Sequence, residues 1–309
     1  MAIDPNNLAG TAKLTFADEF DTLSLWSGKN GTWSTTWWYR EKWDKPGAKS
    51  TFGDVPDQQW YIDHRFKATE RVKPWRVNNG VLTIEAARTD PAIAKYVDDF
   101  PYTSGFINSY NSFSQQYGYF EIKAKLPAGK GLWPAFWLLP KDGSWPPEID
   151  VLEVLGHDTT TLYSTVHTKA TGKHEKDGVT VKTPDLSAGF HRYGVDWQKD
   201  RISFYFDGRK TGEVATPPDL HKPMYMIVNL TVGGGWSGPP NDSTPFPARI
   251  EVDYIRAYEA LPAAAVGPPL PVPTGSEGGG LPLIAGGGVA ILLLVAAAAA
   301  IVRARPAQG

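Results

Sequence analysis

The sequence predicts an all-β domain followed by one C-terminal membrane-spanning helix. Three observations predict it. Apolar and polar residues alternate with a period of two in several short segments, turn residues separate those segments, and no long 3.6-residue periodicity appears before residue 280. Many short strands between turn signals indicate a sandwich or a barrel.

In chain order, the turn Asn78-Asn79-Gly80 precedes Leu82, Ile84 and Ala86, which alternate with polar neighbours. In 119–126, Phe120, Ile122, Ala124 and Leu126 alternate with Glu121, Lys123 and Lys125, the pattern of a half-buried strand. Ile202, Phe204 and Phe206 alternate with Ser203 and Tyr205, and Asp207-Gly208 then supplies a hairpin turn. Residues 1–259 therefore read as one β domain. Residues 260–280 are rich in Ala, Pro and Gly and read as a linker. Residues 281–302 carry no charge. As a helix they would be roughly 33 Å long, enough to cross the hydrocarbon core. A disordered Ala/Gly tail is the alternative. Arg303 and Arg305 begin a short basic tail, 303–309, which the positive-inside tendency places in the cytoplasm. Met1 to Gly10 shows neither a basic n-region nor an apolar h-region, so no signal peptide is visible there.

Composition narrows the function. The 309 residues carry a formal net charge of -2 and no useful basic run, so nothing argues for a nucleic-acid partner. Cysteine is absent, which excludes a disulfide framework and thiolate chemistry. Aromatic residues make up 12% of the chain, with 12 Trp, which suits stacking on the C–H faces of sugars as well as a large core. The glycine runs at Gly233-Gly234-Gly235 and Gly129-Lys130-Gly131 lack the Gly-Lys-Ser/Thr of a phosphate loop.

The chemistry concentrates in Glu148-Ile149-Asp150-Val151-Leu152-Glu153-Val154-Leu155-Gly156, where three carboxylates fall within six positions of an apolar segment. On a strand Glu148 and Asp150 share one face. Strict alternation would put the third acid at position 152, where Leu152 stands, so a one-residue β-bulge is needed to return Glu153 to that face. Like charges crowded on a buried face raise one another's pKa and keep a carboxyl protonated as a general acid. A pair of carboxyls about 5–5.5 Å apart is the equipment of retaining glycoside hydrolysis. A solvated acidic edge or a calcium site is the alternative, although calcium prefers a looping backbone to a β-branched run.

The run Glu-Ile-Asp-x-x-Glu-x-x-Gly resembles the signature of glycoside hydrolase family 16, in its bulged, laminarinase-like form. Phe16-Ala17-Asp18-Glu19-Phe20-Asp21, the segment 118–127 with 131–140, and Val252-Asp253-Tyr254-Ile255-Arg256-Ala257-Tyr258 are similar to other family segments, so the resemblance spans roughly residues 14–259. The stretch Trp145 to Asp158 is most similar to bacterial endo-β-1,3-1,4-glycanases that trim succinoglycan-type exopolysaccharides.

The resemblance implies a β-jelly-roll sandwich with a concave substrate cleft. It implies a retaining endo-β-glycanase with Glu148 as nucleophile, Glu153 as acid/base and Asp150 tuning Glu148, with no cofactor for catalysis. His167, from the strand after the acids, is expected to hydrogen-bond an acid or a sugar, or else to be structural. Trp145 is expected to be a stacking platform. Trp133 and Trp137, four apart on a strand, share a face; they line the groove if that face is concave and are core if not, and Trp133 is the groove candidate. Asn229 and Trp236 resemble the family's sugar-contacting loop. Asp253 and the carbonyl of Gly80 match positions that hold a structural calcium in the family. His64, His157, His174, His191 and His221 show no metal-ligand spacing and receive no role. The expected partners are a polysaccharide and, through the C-terminal helix, a membrane, with the chain a monomer in the cell envelope and its catalytic domain periplasmic or extracellular. A transglycosylase on the same scaffold and a non-catalytic glucan-binding protein are the rival readings.

Overall fold

Turn chemistry and alternation set the local structure. The computed structural model describes residues 2–37 and 57–262. The membrane helix expected at 281–302, its basic tail and nearly all of the linker lie outside the described residues. Among the described residues no helix is long and apolar enough to cross a membrane.

The strands are β1 Ala12–Asp18, β2 Gln59–Tyr61, β3 Trp75–Asn78, β4 Val81–Arg88, β5 Tyr102–Ser104, β6 Phe106–Asn108, β7 Gly118–Lys125 and β8 Leu132–Pro140. They continue with β9 Glu148–Leu155, β10 Asp158–Thr168, β11 Glu175–Lys182, β12 His191–Trp197, β13 Arg201–Phe206, β14 Arg209–Ala215, β15 Met224–Val232 and β16 Ala248–Ala260. The two expected turns are present. Asn79 and Gly80 join β3 to β4 at φ 51° and 72°, and Asp207 and Gly208 join β13 to β14 at φ 48° and 76°. Both positions of such a turn need positive φ, which Asn, Asp and Gly accept most readily.

Two sheets form. One is six-stranded in the order β11-β10-β9-β8-β15-β6. The other is ten-stranded, running β14-β13-β12-β7-β16-β4-β5-β2 with β1 added on β16 and β3 on β4. Alternate residues of each sheet meet between them. Phe120, Ile122, Val195, Phe204 and Val252 from the larger sheet join Phe136, Leu138, Ile149, Val228 and Leu230 from the smaller in one buried cluster. This is the sheet-on-sheet core of a β-sandwich.

Alternation does not reveal burial on both faces of a strand. Every residue of β15 is buried. Its odd-numbered members Tyr225 and Ile227 join Trp37, Tyr61, Phe106, Ala135 and Trp137 in a second apolar cluster on the far side of the six-stranded sheet. Glu121, a solvent-facing position by alternation, is 1% exposed; it accepts hydrogen bonds from Tyr119 Oη at 2.7 Å and Tyr254 Oη at 2.8 Å. Gly194, its partner on β12, leaves room for Tyr119, since a Cβ there would lie 2.1 Å from the hydroxyl.

The bulge is where the sequence requires it. On β8 and β9, Ala135 pairs with Glu153 and Phe136 with Leu152, but Trp137 pairs with Asp150. Val151 is the extra residue. Val151 and Leu152 both enter the core, and the three acids share the opposite face. Deleting Val151 should restore strict alternation and leave a folded protein, less stable by about 1.5–3 kcal/mol for the lost valine burial. Deleting Ile149 instead drives Glu148 into the core and should abolish folding. Soluble yield and thermal unfolding of the two deletions test the assignment; the reverse order of stabilities would refute it.

Candidate active site

Neighbouring strands set the surroundings of each acid. On β10, His167 pairs with Glu148, Thr165 with Asp150 and Tyr163 with Glu153. The indole of Trp145, just before β9, donates from Nε1 to Glu148 Oε2 at 2.7 Å. The indole of Trp133 on β8 donates from Nε1 to Glu153 Oε1 at 3.1 Å. Each outer acid therefore has its own tryptophan N–H, and Asp150 sits between them, 3% exposed.

His167 closes the group. Its Nε2 lies 3.2 Å from Asp150 Oδ2 and 3.9 Å from Glu148 Oε1. Its Nδ1 lies 2.8 Å from Nε2 of His174, and the two rings stack at 5.1 Å. The His174 ring also contacts Trp145, centroid to centroid 5.0 Å. Sequence alone assigns His174 no role. A spacing of seven residues points to no shared site until β10 and β11 fold back on each other, pairing Thr168 with Glu175.

At the Glu153 end the rings form a second group. Trp236 meets Trp133 edge to face at 5.3 Å and Tyr163 at 4.8 Å. Gly234, at φ 107°, brings its backbone against the Trp133 ring, which would lie 3.6 Å from an added Cβ. Trp145 and Trp236 are 56% and 41% exposed, so both rings are open in part to solvent. Trp137 is buried, whereas Trp133 is only half-buried.

Asn229 differs from its expected place among the sugar contacts. It is 2% exposed; Oδ1 accepts from Trp137 Nε1 at 2.7 Å, and Nδ2 donates to Tyr61 Oη at 3.2 Å and Thr231 Oγ1 at 3.0 Å. Its amide hydrogens are taken up by protein partners, so it ties β15 to β8 and β2. Asp253 lies on β16, away from the acids, and its Oδ2 pairs with Lys123 Nζ at 2.9 Å. Gly80 sits in the β3–β4 turn. One carboxylate already countered by an ammonium, with a glycine carbonyl, falls short of the six to eight oxygens that calcium takes. These two residues do not by themselves fit a calcium site.

Burial dominates the electrostatics. It pushes the Glu148 carboxyl well above the ordinary range, helped by the Asp150 charge and opposed by His167 and the Trp145 N–H. Burial and the Glu153 charge raise Asp150, against a hydrogen bond with the Glu148 carboxyl and the Lys176 charge. Burial and then the Glu148 charge push Glu153 up to about 8, with the Trp133 N–H and Lys176 drawing it back. Burial lowers the His167 pKa, favouring the neutral ring, while Glu148 opposes that shift. Three crowded, desolvated acids cannot all ionise near neutrality, so the group holds at least one proton in reserve.

Comparison with known proteins identifies the family and the fold type. The sequence profile of glycosyl hydrolases family 16 matches residues 62–256, more than half of the chain. The chain is 46% identical over 244 residues to the endo-1,3-1,4-β-glycanase ExsH of Rhizobium meliloti, covering 79% of this chain and 51% of that protein. It is 44% identical to a second endo-1,3-1,4-β-glycanase, EglC, of the same organism, with the same coverage. The chain thus spans about half the length of these two relatives. Among solved structures, the laminarinase catalytic domain of Thermotoga maritima superposes with a TM-score of 0.66 at 30% identity, covering 81% of this chain and 99% of that one. The chain belongs to glycosyl hydrolases family 16, and its sandwich is of that family's jelly-roll type.

Two expectations follow from the electrostatics. Between pH 4.5 and about 8 the native Glu153 keeps a proton that the unfolded chain has released. The native state then binds more protons, so stability falls as pH rises through that window. Glu153→Gln removes this contribution; its melting temperature should exceed the wild type's at pH 8, with the gap closing towards pH 4.5. An equal gap at both ends contradicts the shift. Trp133→Phe keeps an aromatic ring but removes the N–H that favours the Glu153 anion. NMR titration of isotope-labelled glutamate carboxyls should then show Glu153 titrating higher than in wild type; a lower value would contradict the hydrogen bond's role.

Proposed function

We propose that this family 16 chain is a retaining endo-β-glycanase that hydrolyses β-1,3-1,4 or β-1,3 glucosidic bonds of an exopolysaccharide or β-glucan. The observation that carries the proposal is the bulged strand β9, which presents Glu148, Asp150 and Glu153 on one face with a separate indole N–H on each glutamate. The names of the endo-glycanase relatives and of the laminarinase supply the substrate class.

Glu148 is the nucleophile. Burial raises its pKa, and the Trp145 N–H and the neighbouring His167 work against that rise; the ionised form they favour attacks the anomeric carbon. Glu153, protonated up to about pH 8, delivers its proton to the departing glycosidic oxygen. With the covalent glycosyl-enzyme formed, Glu153 is ionised and accepts a proton from the incoming water, which releases the sugar and restores both groups. Asp150 holds Glu148 and His167 in place and limits how many charges the face carries. Trp145 at one end of the acid row and Trp236 with Trp133 at the other are the platforms for sugar rings on either side of the cleaved bond.

Glu148→Ala should abolish hydrolysis, and azide should restore turnover of an activated aryl glycoside with inverted stereochemistry. Glu153→Ala should lose polysaccharide cleavage, by about 10²–10⁴-fold or more, yet still form the glycosyl-enzyme from an aryl glycoside with a good leaving group. Full activity in Glu148→Ala, or equal loss on both substrates in Glu153→Ala, would sink these assignments. Product analysis with an added acceptor oligosaccharide separates hydrolysis from transglycosylation.

We also propose that residues 281–302 anchor the domain at the membrane through the 260–280 tether, with the catalytic face outside. The absence of charge in that segment and the Arg303 and Arg305 that follow support this. Fractionation of the native host should find the full chain in membranes. A chain ending at residue 262 should be soluble and equally active on soluble glucan. Recovery of the full chain only in the soluble fraction would refute the anchor.

A further inference from the structure

Among the described residues, one cluster of histidine and acidic side chains brings three ligand atoms within reach of a single ion: Glu148, Asp150 and His167, all within 4.8 Å of one another. The geometry is close to that of a first coordination sphere. Zinc bonds nitrogen and carboxylate oxygen at about 2.0–2.2 Å, so two ligands of one ion stand at most about 4.3 Å apart and about 3.4 Å apart in a tetrahedron. His167 Nε2 lies 3.2 Å from Asp150 Oδ2 and 3.9 Å from Glu148 Oε1.

A second observation points into the same space. Asp150 is 3% exposed and shares a hydrogen bond with the Glu148 carboxyl, but no N–H or hydroxyl donates to its Oδ2; His167 Nε2 stands near it but outside hydrogen-bonding geometry. A buried carboxylate oxygen without a donor is costly, and a cation would satisfy it. The surroundings leave the right atoms available. Trp145 engages Oε2 of Glu148 and leaves Oε1 towards His167. His174 engages Nδ1 of His167 and leaves Nε2 towards the acids, the outer-shell partner that metal-bound histidines commonly have.

We propose that Glu148, Asp150 and His167 form a binding site for a divalent transition-metal ion of the zinc class, with His174 orienting the His167 ring. One imidazole and two carboxylates suit such an ion, and three protein ligands leave a coordination position open. An ion there occupies the Glu148 oxygen that faces His167. Metal and glycan then exclude each other, and the ion acts as a reversible inhibitor. Binding is a property of these ligands and does not rest on the glycanase reading; failure of either leaves the other standing.

Isothermal titration of metal-free full-length protein with zinc chloride tests the proposal, alongside His167→Ala, Asp150→Asn and His174→Ala. Circular dichroism identifies the variants that keep the native fold. Wild type should bind one equivalent. His167→Ala and Asp150→Asn should each lose that site, and His174→Ala should weaken it roughly tenfold or more. Zinc should also inhibit glucan cleavage, with activity restored by EDTA. Absence of binding to wild type would overturn the site. So would affinity unchanged in both folded ligand variants, as at the outlying His191–Asp207 pair. Inhibition without His167-dependent binding would place the inhibiting ion elsewhere and overturn the site as well.

Discussion

The desolvation of three carboxylates on one strand is the constraint on which the rest of the structure depends. A buried charge is tolerated only where donors or opposite charges replace water. Here the replacement is incomplete. Glu148 and Glu153 each receive one indole N–H, Asp150 faces an imidazole, and the Lys176 ammonium acts on the group from β11. That is enough to keep the acids folded together and too little to let all of them ionise. The result is a set of carboxyls that can exchange a proton near neutral pH, as general acid–base chemistry requires.

Holding so unfavourable a group in place needs a rigid support, and the six-stranded sheet supplies it from both sides. Beneath the acids, Ile149, Val151, Leu152 and Val154 lock β9 into the core between the sheets. Beside them, the second apolar cluster around Trp137, Tyr225 and Phe106 stiffens β8 and β15. Asn229 ties Trp137 and Tyr61 of that cluster to each other and to Thr231 through its side-chain amide. The bulge belongs to this support. It lets two consecutive apolar residues face the core without moving Glu153 off the acid face.

Features carried by local pattern are legible in the sequence, and features carried by long-range contact are not. The alternation in β7 and β13, the turns at Asn79-Gly80 and Asp207-Gly208, and the bulge in β9 depend on residues adjacent in the chain. The acids stand out because burying charge in an apolar run is costly, so a fold seldom keeps it there without a chemical use. His174 is invisible in the sequence because its link to His167 exists only once the β10–β11 hairpin closes. Asn229 is expected among the sugar contacts only through the family resemblance, and a sequence does not show the Trp137, Tyr61 and Thr231 that use its amide. Glu121 reads as solvent-facing because alternation cannot tell a wet face from one covered by another part of the same chain.

Glu121 and Asp150 show what separates a structural buried acid from a chemically available one. Both lie on strands of a sandwich, and both are almost fully buried, at 1% and 3% exposure. Each oxygen of Glu121 receives a tyrosine hydroxyl, and Arg192 stands 3.9 Å away. Its hydrogen-bonding capacity is met by the fold, with Gly194 shaped to admit one of the donors. Asp150 Oδ2 receives no N–H or hydroxyl donor, and it faces an imidazole that is itself held by a second imidazole. Burial alone would mark both as candidates for function. Satisfaction distinguishes them: the fold has completed the surroundings of Glu121 and left those of Asp150 open to a proton, a substrate or an ion.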